Sequence, residues 1–228
     1  YKRQQGKDVL YFMKQKEKRE RLIALAALSI GLVLTLLISS AVSFAETCAP
    51  IRSEVLRLHI LANSDSDQDQ KLKLAVRDRI LKLDLFSSES TSSKEETEQE
   101  AAAALSEIEA AAREELRIQG CSDDVKAELV RMYFTTRVYE NVTLPAGYYD
   151  AVRITIGKGA GHNWWCVLYP PLCIPAAEAE QPLDVFTPEE EEIITGQEEY
   201  EIRFFVVELY ESICNFLFGE EENAIAPE

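Results

Sequence analysis

Hydrophobic and polar positions alternate in the segment 55–62, where leucine and isoleucine side chains are separated by Arg57 and His59. This period of two predicts a strand with one buried face. Directly after it, apolar residues recur at helical spacing from Leu72 to Leu83, which predicts a helix that begins near Asp67. The two patterns together predict a strand followed by a helix.

The middle of the chain continues this mixture of element types. The alanine-rich segment 96–118 predicts a second helix that ends at Gly120. The runs 125–139 and 151–156 predict strands, with a turn between them. The glycine loop 157–161 predicts a tight hairpin into a strand over 164–169, which the double proline would end. We therefore expect the α+β class, with antiparallel-type strands and flanking helices.

The C-terminal part of the chain shows two further patterns. Residues 176–200 are acidic and interrupted by prolines, which predicts a linker or a mobile flap. The segment Arg203–Phe218 is amphipathic and predicts a helix with Phe205, Leu209, Ile213 and Phe216/Leu217 along one side. That side either binds a partner or packs on the domain.

The N-terminal part contains an uncharged run at 22–45 that follows a basic stretch. A run of this length is sufficient for a membrane-spanning helix, which needs about 20 residues. Its end, Ser43-Phe44-Ala45, has the small residues that signal peptidase prefers, so both a cleaved signal peptide and an anchor are open. Because the basic residues before it should stay cytoplasmic, we expect everything after Ala45 to be exported. The chain begins at Tyr1 and not at a methionine, so the true start is expected elsewhere.

These patterns divide the chain into six regions. They are a basic cytoplasmic region (1–21), a signal peptide or anchor (22–45), an exported domain (46–175), an acidic linker (176–200), an amphipathic helix (201–219) and a tail (220–228).

The charge distribution limits the possible partners. The formal net charge is −16; the first 21 residues carry eight basic and three acidic side chains, so the remainder carries −21. Such a surface repels phosphate backbones, and nucleic acid is therefore not an expected partner. The glycines at 157, 159 and 161 match neither a dinucleotide-binding fingerprint nor a P-loop. We expect no cofactor.

Alternating aspartates at 65, 67 and 69 resemble the start of a calcium loop. However, the positions that require glycine and the bidentate glutamate hold Gln70 and Val76 instead. The alternative is helix capping, in which Asp65 or Ser66 accepts hydrogen bonds from the first N–H groups of the following helix. We therefore expect no metal site.

The segment 161–173, GHNWWCVLYPPLC, concentrates rare residues. Cys166 and Cys173 flank the double proline, and outside the cytoplasm this spacing predicts a disulfide; two unpaired thiols in a core strand are the alternative. Adjacent tryptophans on a strand point to opposite sides, so one ring is expected in the core and the other outward. With five cysteines, at least one of Cys48, Cys121 and Cys214 remains free or joins another molecule.

A second hypothesis assigns chemistry to the same thiol. Cys166 with a histidine as its base would make an exported cysteine hydrolase acting at the cell envelope. His162 lies four residues away, which is about 13 Å along a strand, and His59 would have to be brought near by strand pairing. Because the usual hydrolase motifs are absent, we expect a protein that is not an enzyme.

The segments 56–81 and 144–173 resemble stage II sporulation protein R of endospore-forming bacteria, and the similarity extends over about 52–175. The resemblance implies an intercellular signal that is made in the forespore and exported into the space between forespore and mother cell. There it would activate the membrane-embedded aspartic protease that processes the mother-cell pro-sigma factor, of the sigma-E type. The family is not known as a group of enzymes, so no catalytic residue carries over.

Resemblance and chemistry together favour a binding module. We expect its partner-binding face on the strand and loop 163–173 and the adjoining turn 63–69, because tryptophan and tyrosine often carry interface energy. The residues assigned to this face are Asn163, Trp164, Trp165, Tyr169, Pro170, Pro171, His59, Asn63 and Asp65.

Overall fold

The structure is a computed structural model and describes residues 2–83, 93–139, 142–170, 183, 185–218 and 223–224. The chain divides into two units, Tyr1–Phe44 and Ala45–Glu228.

Helix α1 extends over Lys2–Ser53, and the described part of the first unit is entirely helical. Within it, Gln15–Ser53 is long and apolar enough to cross a membrane. The large apolar side chains from Leu22 to Ile38 are exposed, as a signal segment or a lipid-facing anchor requires. The predicted character of residues 22–45 is thus supported, and cleavage after Ala45 stays a prediction.

The second unit is built on a mixed sheet, and the predicted α+β class is confirmed. Its strands are β1 (Leu56–Leu61), β2 (Val125–Phe134), β5 (Gly147–Ile156), β6 (Asn163–Tyr169) and β7 (Asn223–Ala224), in the order β6-β1-β5-β2-β7. A separate hairpin consists of β3 (Arg137–Tyr139) and β4 (Val142–Leu144). β1 is parallel to β5 and antiparallel to β6.

Two predictions about β1 and its neighbours were wrong. The loop 157–162 is not a hairpin turn, because β5 and β6 lie on opposite sides of β1 and the loop passes the end of that strand. β1 is also not half-buried: Arg57 is 0% and His59 3% exposed. β1 pairs with β5 on one edge and with β6 on the other, and it is an interior strand that is covered on both faces.

Three helices cover one face of the sheet: α2 (Asp67–Ile80), α3 (Lys94–Ala103) and α4 (Leu105–Ile118). The capping interpretation is confirmed, since Ser66 is the N-cap of α2 and its hydroxyl accepts a hydrogen bond from the Asp69 N–H at 3.1 Å. The alanine-rich segment is not one helix but two, with the break at Ala104. The predicted end is confirmed, because Gly120 has φ +77°.

The main core lies between these helices and the sheet. β1, β5 and β2 contribute alternate apolar residues, and α2 contributes the predicted stripe. Its largest members are Leu56, Leu58, Ile60, Leu72, Val76, Ile80, Ile108, Leu116, Leu129, Val152, Ile154 and Ile156. Each such side chain contributes roughly 1.5–3 kcal/mol when it leaves water, so the sheet and helices form one cooperative unit.

The acidic segment is not a linker from residue 188 onward. Residues Pro188–Thr195 form α5, whose start is fixed by a capping box between Thr187 and Glu190, and Ile193 and Ile194 are buried. Most of the remaining segment, 176–182 and 184, lies outside the described residues. Of the predicted tail, residues 223–224 form β7 beside β2.

Helix α6 covers Gln197–Phe218, in agreement with the predicted C-terminal helix. Its predicted apolar side does not pack on the domain: Phe205, Leu209, Ile213, Phe216 and Leu217 are all at least 50% exposed. Buried residues of the same helix, including Phe204 and Val207, lie on its other side.

A buried ion pair links α3 to the sheet. Lys94 Nζ lies 2.6 Å from carboxylate oxygens of both Asp150 and Glu98, and it is 7% exposed. Burial lowers the pKa of Lys94, but the two carboxylates outweigh it and the net shift is upward.

We expect Lys94→Met to lower the free energy of unfolding by roughly 2 kcal/mol, because Asp150 and Glu98 lose a buried partner while Asp150 keeps its ion pair with the exposed Arg131 side chain. Denaturant unfolding of the full chain, followed by circular dichroism, measures this change. The exposed Lys71 provides the matched control, and Lys71→Met is expected to change stability little. Equal effects of the two substitutions would contradict the assignment.

Candidate partner-binding surface

Strand β6 places its two tryptophans on opposite faces of the sheet. Cys166 and Leu168 join the core beneath the helices, and Trp164 packs against that core. Trp165 lies on the other face, directly opposite His59 of β1. Both indoles are half-buried, so the prediction of one core and one outward ring is only partly met.

Trp165 lies in a stack of rings. Its indole is parallel to the His59 imidazole, with centroids 4.0 Å apart and an angle of 2° between the planes. The Phe134 ring meets it edge-on at 4.8 Å, and the Arg137 guanidinium lies 5.5 Å from the indole centroid. Ring contacts of this kind fix side-chain orientation, so Trp165 is held in one position.

The same face buries a charge. The Arg57 guanidinium lies 4.1 Å from the Phe134 centroid and 4.8 Å from that of Tyr149. Its Nη2 donates to the Tyr139 hydroxyl at 2.5 Å, whereas Nε and Nη1 have no hydrogen-bond partner. Aromatic faces thus stabilise a cation that forms no ion pair among the described residues.

His59 is neutral in this environment. Burial is the main cause that lowers its pKa to about 4, and the charges of Arg153 and Arg57 act in the same direction. The Asn163 side chain opposes the shift, but neither ring nitrogen makes a hydrogen bond of normal geometry. The imidazole therefore acts as an uncharged ring that supports Trp165.

Trp164 is held by a cation from a helix. The Arg77 guanidinium of α2 lies 4.3 Å from the Trp164 centroid, while the indole N–H has no hydrogen-bond partner. The contact links the edge strand to α2, so this tryptophan is oriented by tertiary packing as well.

Two loops join at the end of β1 and extend the surface. Asp65 accepts a hydrogen bond from the His162 N–H at 2.6 Å and also contacts the imidazole; the backbone hydrogen bond is the main cause that lowers the pKa of Asp65. The Asn63 carbonyl oxygen of the side chain accepts from the Lys158 N–H at 3.0 Å. Lys73 donates to the His162 carbonyl at 2.9 Å.

The close approach of these loops depends on glycine. A Cβ added at Gly161 would lie 2.2 Å from the Ser64 carbonyl oxygen, and one at Gly157 would lie 2.4 Å from the Asn63 side chain. Both distances are shorter than a van der Waals contact. The backbones of Gly161 and Ser64 therefore lie in contact, and the Asn63 side chain packs on Gly157, which holds the loops 63–66 and 157–162 together.

The predicted face is thus brought together in space, although its members differ in exposure. His59 and Tyr169 are buried, at 3% and 7%, and Pro170 is buried as well. Asn163 and Asp65 are exposed, whereas Pro171 lies outside the described residues. The role of this face in binding a partner stays a prediction.

The residues that orient the two tryptophans were not predicted from the sequence. These are Arg57, Arg77, Phe134 and Arg137. Strand alternation gave a signal for Arg57, because it shares a face with His59. No local pattern connects Arg77 or Phe134 with the tryptophans, since α2 and β2 approach β6 only in the folded chain.

The hydrolase hypothesis finds no support in the geometry. Cys166 faces the main core opposite Leu58, whereas His59 lies on the other face of the sheet. His162 is engaged by Asp65 in the loop. Over the described ranges, His, Cys, Asp and Glu form no cluster that could hold a metal ion.

The structure describes the state of three of the five cysteines. Cys48, Cys121 and Cys214 are free thiols, as the odd number of cysteines requires of at least one. Cys166 is buried, and Cys173 lies outside the described residues, so their disulfide stays a prediction.

Comparisons with known proteins identify relatives of this domain. Residues 52–179 match the family model of stage II sporulation protein R. The chain is 35% identical over 123 residues to stage II sporulation protein R of Bacillus subtilis (strain 168), which covers 54% of this chain and 55% of that protein. The chain thus spans about half the length of this curated relative. No solved structure matches.

The low pKa of His59 predicts a pH dependence. Between pH 6.5 and about 4 the unfolded chain binds a proton that the folded chain does not, so the free energy of unfolding falls as pH decreases. The loss approaches roughly 3 kcal/mol below pH 4.

His59→Phe keeps a ring beneath Trp165 and removes the titration. We expect this variant to lose less stability than the unmodified chain between pH 7 and pH 4, measured by denaturant unfolding at each pH. Identical slopes for the two proteins would show that His59 does not bind its proton preferentially in the unfolded state.

Proposed function

The chain belongs to the stage II sporulation protein R family, and we propose that it is the exported signal by which the forespore activates sigma-factor processing in the mother cell. It is made in the forespore and carried into the space between the two membranes. There it binds the membrane-embedded aspartic protease that processes the pro-sigma factor, of the sigma-E type. The family match over residues 52–179 is the observation that carries this proposal.

The arrangement of the chain supports export. An apolar helix suited to a signal or an anchor precedes the matched domain, and basic residues precede its apolar run. Such a charge distribution keeps the N-terminal end cytoplasmic. The domain that follows would then reach the outer side of the membrane, where the external part of a membrane protease is accessible.

The site supports binding and not turnover. The rings and loops of the β6 edge are fixed by stacking, a buried cation and close backbone contacts. Preorganised aromatic residues lose little conformational entropy on binding, and they often dominate interface energies. We therefore assign receptor contact to this edge, with Asn163 and Asp65 as its exposed polar members.

We further propose that Cys166 and Cys173 form a disulfide after export, which would fasten the chain that follows β6 to the core. Alkylation of the full chain, denatured without a reductant and analysed by mass spectrometry, tests it. We expect three modified thiols before reduction and five after it. Five modified thiols without reduction, in protein isolated from the exported fraction, would contradict the pairing.

Reconstitution tests the function itself. Co-expression of the full chain with the candidate protease and its pro-sigma substrate is expected to produce cleaved sigma factor, and omission of the chain should abolish cleavage. Asn163→Arg introduces bulk and charge at an exposed position of the predicted face. We expect it to reduce cleavage at least about tenfold, as for a residue at the centre of an interface.

Glu107→Arg, an exposed change on α4, is the matched control and should leave cleavage within about twofold. Unfolding measurements on both variants show whether either is destabilised. If Asn163→Arg folds, is exported and activates normally, this edge is not the receptor contact. If the unmodified chain produces no cleavage, the proposed function is overturned.

A further inference from the structure

Helix α6 presents two chemically distinct sides. On its inner side Phe204 and Val207 are buried, and Asn215 accepts a hydrogen bond from the Tyr148 hydroxyl at 2.5 Å. Its outer side carries six large apolar residues that are at least 50% exposed. This outer stripe consists of Ile202, Phe205, Leu209, Ile213, Phe216 and Leu217.

The outer stripe is continuous. Ile202, Leu209 and Phe216 are spaced seven residues apart, with Phe205 between the first two, so they follow one side of the helix. From residue 202 to residue 217 the stripe extends about 24 Å, at 1.5 Å per residue. Contiguous exposed apolar surface of this kind marks interaction sites. α6 also lies beyond the residues 52–179 that match the family.

A pocket lies at the N-terminal end of the stripe. Its volume is about 440 Å³, and it opens between α6 and the β3–β4 hairpin. The residues that matter for its chemistry are Phe204, Phe205, Glu201 and Glu208 from the helix, and Thr136 and Thr143 from the hairpin side. The helical members lie on one face because their spacings are three, four and seven residues.

The pocket is lined by carboxylates and hydroxyls that have no basic side chain beside them among the described residues. Glu201 and Glu208 form no ion pair among the described residues. The Thr136 and Thr143 hydroxyls are buried without a hydrogen-bond partner, and Thr143 is only 4% exposed. No lysine or arginine lines the pocket in the part of the chain that is described. Buried polar groups without partners are unfavourable, so this site is chemically incomplete.

A lysine or arginine side chain fits these groups. An ammonium carries three donors and a guanidinium five, which match the two carboxylates and, once the threonine side chains rotate toward the pocket, the two hydroxyl oxygens. The rings of Phe204 and Phe205 add favourable contact with a cation. The apolar stripe beside the pocket would receive hydrophobic neighbours of that basic residue.

We propose that α6 binds a polypeptide segment of a partner, which lays apolar side chains on the outer stripe and inserts one lysine or arginine into the pocket. A second copy of this chain is disfavoured, because both copies would bring Glu201 and Glu208 and a strongly negative domain. Anionic lipid is disfavoured for the same reason. The proposal rests on the proposed function only in requiring a partner outside the cytoplasm.

Peptide binding to the full chain in a nonionic detergent tests the proposal. The probe is acetyl-Ala-Leu-Lys-Leu-Ala-amide, and its counterparts replace lysine by norleucine or by glutamate. Isothermal titration is expected to show binding of the lysine peptide, at least about tenfold weaker binding of the norleucine peptide, and none of the glutamate peptide. Equal affinity for lysine and norleucine, or no binding of the lysine peptide, would overturn the proposal.

Variants separate the pocket from general attraction to a negative protein. Glu201→Gln with Glu208→Gln should weaken the lysine peptide at least about tenfold. The control, Glu100→Gln with Glu107→Gln, removes the same charge from α3 and α4 and should change affinity less than about twofold. Equal weakening by both pairs would mean attraction by net charge only and would overturn the site.

Thr143→Val distinguishes a contact with the peptide from a purely structural role of this residue. The substitution removes a buried hydroxyl without a partner, so the stability of the free protein should stay the same or rise, while affinity for the lysine peptide should fall several-fold. Unchanged affinity would remove Thr143 from the site and overturn the hydroxyl contribution.

The peptide assay contains no protease, so a failure of peptide binding leaves the proposed signalling function intact. A failure of the reconstitution likewise leaves peptide binding intact.

Discussion

The domain that follows the apolar helix depends on strand β1, which is buried on both faces although it carries Arg57 and His59. One face presents Leu56, Leu58 and Ile60 to the main core, and the other buries a guanidinium and an imidazole. A charge in this position must be stabilised by its surroundings. Aromatic rings from β2 and β5 provide that stabilisation. The aromatic residues of the second face therefore have a direct role in burying the guanidinium.

The same constraint shapes the predicted receptor edge. His59 is kept neutral by burial, and its ring lies flat against Trp165. Phe134 touches Arg57 and Trp165 at once, so the buried cation and the indole share one support. Rigid aromatic residues at a surface favour recognition because little ordering remains to be done on binding. The predicted receptor edge is thus held by the same contacts that stabilise the second face of the sheet.

The two proposed contact regions differ in chemistry and in place. The β6 edge belongs to the part of the chain that matches the family, and its exposed polar members lie beside half-buried indoles. The α6 side lies beyond that match and combines an apolar stripe with uncompensated carboxylates. The two proposals therefore assign separate contacts to the β6 edge and to the α6 side.

The features that could be predicted from the amino-acid sequence are those that local interactions control. The Ser66 cap, the Gly120 stop and the stripe of α2 were predicted because hydrogen bonds and side-chain spacing within a few residues define them. The apolar run before the domain was predictable from length and composition alone. The sequence also placed Trp164 and Trp165 on opposite faces, since strand geometry requires it.

Tertiary structure decided the strand order, the burial of Arg57 and His59, and the exposure of the α6 stripe. Local alternation cannot distinguish a strand with one buried face from one covered on both sides, because the second cover comes from segments distant in sequence. The crossing of β1 by the loop 157–162 has the same origin. An amphipathic helix likewise has an apolar side wherever it lies, and only its contacts with the rest of the domain decide whether that side is buried or left to bind a partner.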